Sequence, residues 1–220
     1  VNRTSIGSLF LERISENSYS KSDQNNIELI GRILGATLSW ISEYEKIYKD
    51  ATHDGLSGLL NHQTFKNRFS EEIQRAKRFQ HNMAVLIFDL DKFKRINDTY
   101  GHQYGDYVIK TVSGIMSENV RAIDVVARYG GEEFAIILVN TTAEMGLLVA
   151  QRIVDNIANY KFLMDGEKVR MEISGGMSEY PTHSDKIKDL IEYADQSMYE
   201  TKQNGGNGVI IYQKKETPKD

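Results

Sequence analysis

Three acidic residues in two separate stretches have the types and placement to act on a phosphate together. Glu132 and Glu133 follow Gly130 and Gly131 in the run Arg128-Tyr129-Gly130-Gly131-Glu132-Glu133-Phe134, and Asp89 closes the apolar run Met83 to Phe88. Adjacent glutamates repel each other, and bare glycine backbone beside them leaves room for a large ligand to come close. Such a pair suits Mg²⁺ carrying a phosphate, because Mg²⁺ prefers hard oxygen donors and substrate phosphates. A carboxylate at the end of a buried strand is costly unless it is paired or binds a metal. Ligands bind at strand ends in open α/β sheets, which favours the functional reading of Asp89. Taken singly, each feature has an ordinary explanation: a solvated acidic turn for Gly-Gly-Glu-Glu, a helix cap for Asp89. If the two strands are neighbours, the three acids and the glycine tip form a site for one or two divalent ions.

The flanking residues supply the strands. Val125-Val126-Ala127 and Phe134 to Val139 are β-prone runs joined by the glycine tip, which predicts a hairpin whose glycines take the positive φ of tight turns. Met83 to Phe88 has strand length; Lys92 to Asn97 should be a short helix, followed by a polar loop to Gly105. Asn61 is placed to cap a helix marked by Phe65, Phe69, Ile73, Ala76 and Phe79. Further helices are expected around Tyr107 to Met116, Ala143 to Tyr160 and Ser184 to Gln203. Val169, Met171 and Ile173 alternate as a strand, and Val209 to Tyr212 closes the fold as another. Helices and strands interleave while the central hairpin is antiparallel, so the sheet should be mixed.

The N-terminal part has a different pattern. Ile6 to Leu11 is a short apolar run and Ser15 to Asn26 is polar. From Ile27, apolar positions recur at alternating steps of three and four through Ile30, Leu34, Thr37, Ile41, Tyr44, Tyr48 and Ala51, with Ile33, Trp40 and Ile47 widening the stripe. That is a heptad-like seam on a helix from about Asn25 to Asp50, suited to dimerisation or to packing on an upstream domain. The start at Val1, inside what reads as a strand, suggests a piece of a longer protein.

Composition narrows the function classes. Forty per cent hydrophobic and 26% charged residues in 220 fit a globular α/β domain with an appendage. No cysteine is present, so disulfides and thiolate metal sites are excluded, and a cytoplasmic location is expected. A formal charge of −4 argues against nonspecific nucleic-acid binding. No apolar run approaches the roughly 18 residues of a membrane span.

Five motifs in order resemble one family. Phe88-Asp89-Leu90-Asp91-Lys92-Phe93-Lys94-Arg95-Ile96-Asn97-Asp98, Gly101-His102-Gln103-Tyr104-Gly105-Asp106 and Arg128 to Phe134 are similar to the GGDEF diguanylate cyclases. Asp54 to Leu59 and Ala194-Asp195-Gln196-Ser197-Met198-Tyr199 match the family's opening and closing signatures. The resemblance covers roughly Ala51 to Gln213. It implies a palm-like α/β (α+β) domain with a mixed, mainly antiparallel sheet flanked by helices, converting two GTP into cyclic di-GMP and pyrophosphate across a homodimer of GTP-loaded domains. The implied domains are 1–51 (sensor remnant and long helix), 52–214 (catalytic) and 215–220 (frayed tail).

The resemblance also assigns roles. Asp89 and Glu132, with the Leu90 carbonyl, are implied to hold Mg²⁺, with Mn²⁺ as the alternative; Glu133 would take the 3′-hydroxyl proton or hold a second metal. Lys94 and Lys202 would balance phosphate charge, and amides around Phe93, with the Gly130-Gly131 tip, would cradle the triphosphate. Asn97 and Asp106 would read guanine, the lesser alternatives being that Asp106 caps the helix after it and Asn97 sits in a turn. Asp98 and Arg128 are better explained as turn or ion-pair residues. Arg121 and Asp124, in an R-x-x-D pattern, would form an inhibitory site for cyclic di-GMP, with Arg75 and Arg152 as candidates to complete it.

Three positions depart from the pattern. Ser57 stands for the usual Thr, His62 for the usual Arg, and Gly206 for the Arg common after the final glycine. Ser5 to Asp50 resembles the last strand and helix of a GAF sensor domain. The alternative from another class is a catalytically silent module that senses GTP or cyclic di-GMP.

Overall fold

Strand β1 (Met83–Leu90) is buried along its whole length and lies at the centre of a five-stranded sheet ordered β2-β3-β1-β6-β7. The structure is a computed structural model that describes residues 20–164 and 166–214. The apolar run expected as a strand at Ile6 to Leu11, and the tail from residue 215, lie outside the described residues. Strands β2 (Val125–Arg128), β3 (Glu133–Val139) and β6 (Ile173–Tyr180) pair antiparallel within the sheet, and β7 (Gly208–Ile211) joins β6 in parallel. The sheet is mixed, as the alternation of elements predicts.

Side-chain alternation along β1 divides the core in two. Ala84, Leu86, Phe88 and Leu90 join one cluster with Val108 and Val112 of α4 (His102–Glu118) and Ile153 and Ile157 of α5 (Ala143–Asn159). Met83, Val85 and Ile87 join the other with Phe65 and Phe69 of α2 (His62–Phe79) and Leu190 and Ala194 of α6 (Ile187–Gln203). Each fully buried aliphatic or aromatic side chain contributes about 1.5–3 kcal/mol, so both faces are held firmly. Asp89 continues the second series, which directs it to the α6 side.

Close packing fixes α6 on that face. A Cβ on Gly176 would lie 2.0 Å from the Ala194 carbonyl oxygen and 2.1 Å from the Met198 nitrogen, so the helix backbone rests directly on β6. The Ser178 hydroxyl donates to the Leu190 carbonyl (2.6 Å) and the Thr201 hydroxyl to the Gly175 carbonyl (2.7 Å). Lys202, one residue beyond Thr201, is thereby held at the end of β1.

Several local expectations change. The loop expected between Asn97 and Gly105 is helical on both sides: α3 spans Phe93–Tyr100 and α4 begins at His102, with Gly101 at φ 85 turning the chain between them. Only a residue tolerant of positive φ can serve both ends. Val169, Met171 and Ile173 do not form one strand. Strand β5 (Glu167–Val169) pairs only with β4 (Phe162–Met164), whereas Ile173 is the first residue of β6 opposite Leu90. Their alternation survives because Val169 and Met171 both enter the core. Asn61 caps α2 as expected, its side-chain oxygen accepting from the Thr64 N–H at 2.9 Å.

The chain divides into two compact units, residues 1–51 and 52–220. Helix α1 (Lys21–Thr52) has no buried residue, and Ile30, Leu34, Ile41, Tyr44 and Tyr48 are exposed along it. Its start is fixed by reciprocal bonds, the Asp23 N–H donating to the Ser20 hydroxyl (3.1 Å) and the Ser20 N–H to the Asp23 carboxylate (2.9 Å). Among the described residues no helix is long and apolar enough to cross a membrane.

Candidate active site

Neighbouring strands bring the acids together. In the β1–β3 ladder Asp89 lies directly opposite Glu133, and the Leu90 N–H donates to the Glu132 carbonyl at 3.2 Å. Residues opposite each other on paired strands share a face, so Asp89 and Glu133 both face α6. Lys202 answers from that helix, its Nζ 2.5 Å from Asp89 Oδ1. Burial raises the pKa of Asp89 above the usual carboxylate range; Lys202 opposes this, while Asp91 and Asp195 add to it. Glu132 is raised by burial, then by Asp89 and Glu133, against Lys202. Glu133 is raised by burial, then by Asp89 and Asp195, again against Lys202. One ammonium therefore serves three mutually repelling carboxylates.

The hairpin glycines act differently from the expectation. Neither Gly130 nor Gly131 has positive φ among the chain's positive-φ residues. Gly130 gives proximity: the Glu133 carboxylate packs into the space a Cβ there would take, with Oε2 at 2.2 Å from that position. The Glu133 carbonyl in turn accepts from the Tyr129 N–H (2.8 Å) and the Gly130 N–H (3.2 Å), closing the tip. Arg128 pins it from outside, donating to the Gly131 carbonyl (Nη2, 2.6 Å) and to Asp54 Oδ1 (Nη1, 3.0 Å). Burial opposes the charge on Asp54, but hydrogen bonds from Ser57 and Arg128 hold its pKa below the ordinary value. Ser57 keeps the role of a turn residue by donating its N–H to Asp54 (2.8 Å), and His62 packs edge-on against Tyr129 with centroids 4.5 Å apart.

Asn97 and Asp106 come from adjoining helices joined at Gly101. The Asn97 amide lies over Gly105, where a Cβ would fall 1.9 Å from its Oδ1. The glycine thus seats Asn97 one residue from Asp106. Asp106 does not cap α4, which starts at His102 after Gly101; its side chain is on the exposed surface of the first turns. Asn97 is within α3 rather than in a turn. Phe93 is buried at the start of α3, Lys94 is exposed, and no side chain caps the first-turn amides.

At the opposite end of β3, Arg121, Asp124 and Arg152 line one cavity of about 390 Å³. Asp124 accepts from the Arg121 N–H (2.8 Å), Nε (3.2 Å) and Nη2 (3.1 Å) and from the Val139 N–H (3.0 Å). Arg152 donates to the Asn119 carbonyl and side chain (2.7 and 2.9 Å). Arg75 does not line this cavity; it pairs with Glu72 on α2 at 2.8 Å.

Two participants in the acid site carry no individual signal in the sequence. Asp195, seven residues before Lys202 on α6, adds to the repulsion on Asp89 and Glu133. Asp91 accepts from the Ser174 hydroxyl (2.8 Å) and the Asn207 N–H (3.0 Å), tying β1 to β6 and the final loop. Only the motifs around them could have marked them.

Among the described residues, no group of three or more acidic or histidine side chains forms a metal shell by itself. The donors nevertheless fit Mg²⁺ shared with a substrate. Mg²⁺ is commonly bound through one or two carboxylates plus phosphate and water, and the surplus negative charge around Lys202 leaves room for a second cation.

The family model for the diguanylate cyclase GGDEF domain matches residues 51–208. The chain belongs to the GGDEF family. Among its GGDEF relatives, diguanylate cyclase A of Treponema denticola is 43% identical over 129 residues, covering 59% of this chain and 35% of that protein. Diguanylate cyclase DosC of Escherichia coli K12 is 38% identical over 160 residues, covering 72% of this chain and 35% of that protein. The chain thus spans about a third of the length of these curated relatives. The coiled coil and GGDEF domain of DgcB from Caulobacter crescentus, solved with c-di-GMP, superposes with TM-score 0.73 at 27% identity, covering 83% of this chain and 98% of that one.

Proposed function

We propose that this chain is the catalytic module of a diguanylate cyclase that condenses two GTP into cyclic di-GMP and two pyrophosphates. The observation that carries the reading is the register of β1 and β3, which sets Asp89 opposite Glu133, beside Glu132 and under Lys202. Three mutually repelling acids with raised pKa values and one cation form a site suited to a cation-bound polyphosphate. Phosphoryl transfer needs alignment and charge neutralisation more than covalent chemistry, and these residues are of the right kind.

Asn97 and Asp106 hold the guanine edge, a carboxylate accepting from N1–H and the 2-amino group that adenine does not present. The uncapped amides at the start of α3 receive phosphate oxygens, with Lys94 and Lys202 balancing charge. Asp89, Glu132 and the Leu90 carbonyl would hold a Mg²⁺ or Mn²⁺, which would supply charge neutralisation to the phosphates. Glu133, with its raised pKa, accepts the 3′-hydroxyl proton as that oxygen bonds to the partner nucleotide's α-phosphorus. The bond from that phosphorus to the β-phosphate oxygen breaks, and pyrophosphate leaves.

The reaction needs two loaded domains face to face. The apolar seam of α1 is proposed to bring them together, supported by the coiled coil in the similar DgcB structure; the segment before it is proposed to end a sensor domain, and the whole to work in the cytoplasm. The Arg121–Asp124–Arg152 cavity is proposed to bind cyclic di-GMP as an inhibitor, Arg121 leaving Asp124 to grip the ligand. Arg121→Ala should then turn over without product inhibition, and wild-type inhibition would remove that site. Incubation with GTP and Mg²⁺, with products identified by mass, tests the main reading: cyclic di-GMP and pyrophosphate are expected, whereas bound but unconverted GTP would mark a silent sensor.

A further inference from the structure

Arg121 is held in the free protein by more than Asp124. Its Nη2 also donates to the Val139 carbonyl (2.8 Å) and to the Thr141 hydroxyl oxygen (2.9 Å), and that hydroxyl donates in turn to the same carbonyl (3.0 Å). The Arg121 side chain is 57% exposed, so directed bonds rather than burial keep it in place. Nη2 faces three acceptors, Asp124 Oδ1, Val139 O and Thr141 Oγ1, with two protons to divide among them. At least one of these bonds is therefore shared, which makes the hold specific but reversible.

The chain around Thr141 fixes its hydroxyl. The Thr141 N–H donates to the Asn82 carbonyl (3.2 Å) just before β1, Asn140 turns the chain at φ 50, and Thr142 caps α5 by accepting from the Met145 N–H. Thr141 is half-buried and lines the same cavity as Arg121, Asp124 and Arg152. Arg152, the cavity's other arginine, is held by Asn119 partly through a backbone carbonyl, which no side-chain change removes. The hold on Arg121 at Thr141 is set by a single hydroxyl.

We infer that the Thr141 hydroxyl is a latch on Arg121: it favours the ligand-free position of the guanidinium and so sets the concentration of cyclic di-GMP at which the cavity fills. The inference rests on the proposed product site and deepens it by naming what tunes it. A phosphate or a guanine edge competes for the same N–H groups that Thr141 and Val139 accept from. When the binding-competent position is only fractionally populated, apparent affinity falls by that fraction, and loosening the competing position restores it. Thr141 is thus a positioning residue that acts on the ligand through Arg121.

The test is calorimetric titration of cyclic di-GMP into the full chain, as wild type, Thr141→Val, Thr141→Ala, Thr141→Ser and Arg121→Ala. Valine and alanine lose the hydroxyl with and without the branched shape, and serine keeps it. Thr141→Val and Thr141→Ala should bind about three- to tenfold more tightly, the size of one net hydrogen bond, while Thr141→Ser stays near wild type. Product inhibition in progress curves should set in at correspondingly lower concentrations. Unchanged or weaker binding in both hydroxyl-free variants, where wild type binds and Arg121→Ala binds less, would overturn the latch alone. So would a serine variant that tightens as much as valine. Wild type that binds no cyclic di-GMP, or Arg121→Ala that binds as well as wild type, would overturn the product site and the latch with it.

Discussion

Strand β3 ends in an aspartate's neighbourhood on both sides, and the two ends are opposites. At the Val139 end, the Asp124 side chain is 1% exposed and accepts four hydrogen bonds, from three groups of Arg121 and the Val139 N–H. At the Glu133 end, Asp89 has one ammonium, shared against two glutamates, and its pKa is pushed up by burial. A carboxylate whose lone pairs are all used stabilises the fold around it. A cluster left short of positive charge lowers stability in the free protein and gains it back when a cation arrives. Asp124 is satisfied within the free protein, and a ligand in its cavity must draw Arg121 away from it, whereas the acids around Asp89 are short of charge before any ligand arrives.

The largest expected effect is on chemistry at the Glu133 end. Glu133→Gln should lower turnover by at least about 100-fold, the range for loss of a general base, while GTP binding stays within a few-fold. Unchanged turnover in a steady-state assay would take Glu133 out of the mechanism. Stability should show the next largest contrast. Asp124→Ala strips partners from a buried N–H and an arginine, and should cost about 2–4 kcal/mol in urea unfolding. Asp89→Asn in chelator should cost under about 1 kcal/mol or stabilise, because it relieves repulsion. Equal losses would erase the distinction between the two ends.

The smallest effect is in pH dependence without divalent metal. Asp89, Glu132 and Glu133 have folded pKa values above their unfolded ones, so the folded state binds more protons and their penalty stands in full above the folded values. As pH falls from neutral towards the ordinary carboxylate range, that penalty fades and the melting midpoint should rise slightly. Asp54 has the opposite sign: its lowered pKa gives stability that is present above the unfolded value and lost as pH falls through the folded one. Glu132→Gln should flatten the rise, and Asp54→Asn the later fall. A midpoint that falls steadily from neutral pH in wild type would contradict the first assignment.

Much of this arrangement is legible in the sequence, and the gaps have physical causes. The β2–β3 hairpin, the burial of β1 and the Asn61 cap follow from alternation, apolar runs and capping chemistry. The stretch Ser174-Gly175-Gly176-Met177-Ser178 hides a strand as central as β1, because its residues are small to admit α6, and smallness looks like a loop until the helix is in place. The role of Gly130 is misread for a related reason. A glycine that lets a carboxylate pack against it has the same letter as one required by φ. Of the site, the acids and Lys202 are legible as a motif, and Asn97 beside Asp106 depends on Gly105. The engagement of Asp124 is invisible without the 15-residue jump to Val139.

The central claim is that the free site is short of one cation, which arrives with the nucleotide. The direct measurement is calorimetric titration of GTP into the Glu133→Gln protein, with Mg²⁺ and with chelator, in the presence and absence of Asp89→Asn. Mg²⁺ should tighten GTP binding at least about tenfold in the first protein, and Asp89→Asn should remove that gain. The same Mg²⁺-dependent gain with and without the Asp89 carboxylate would contradict it.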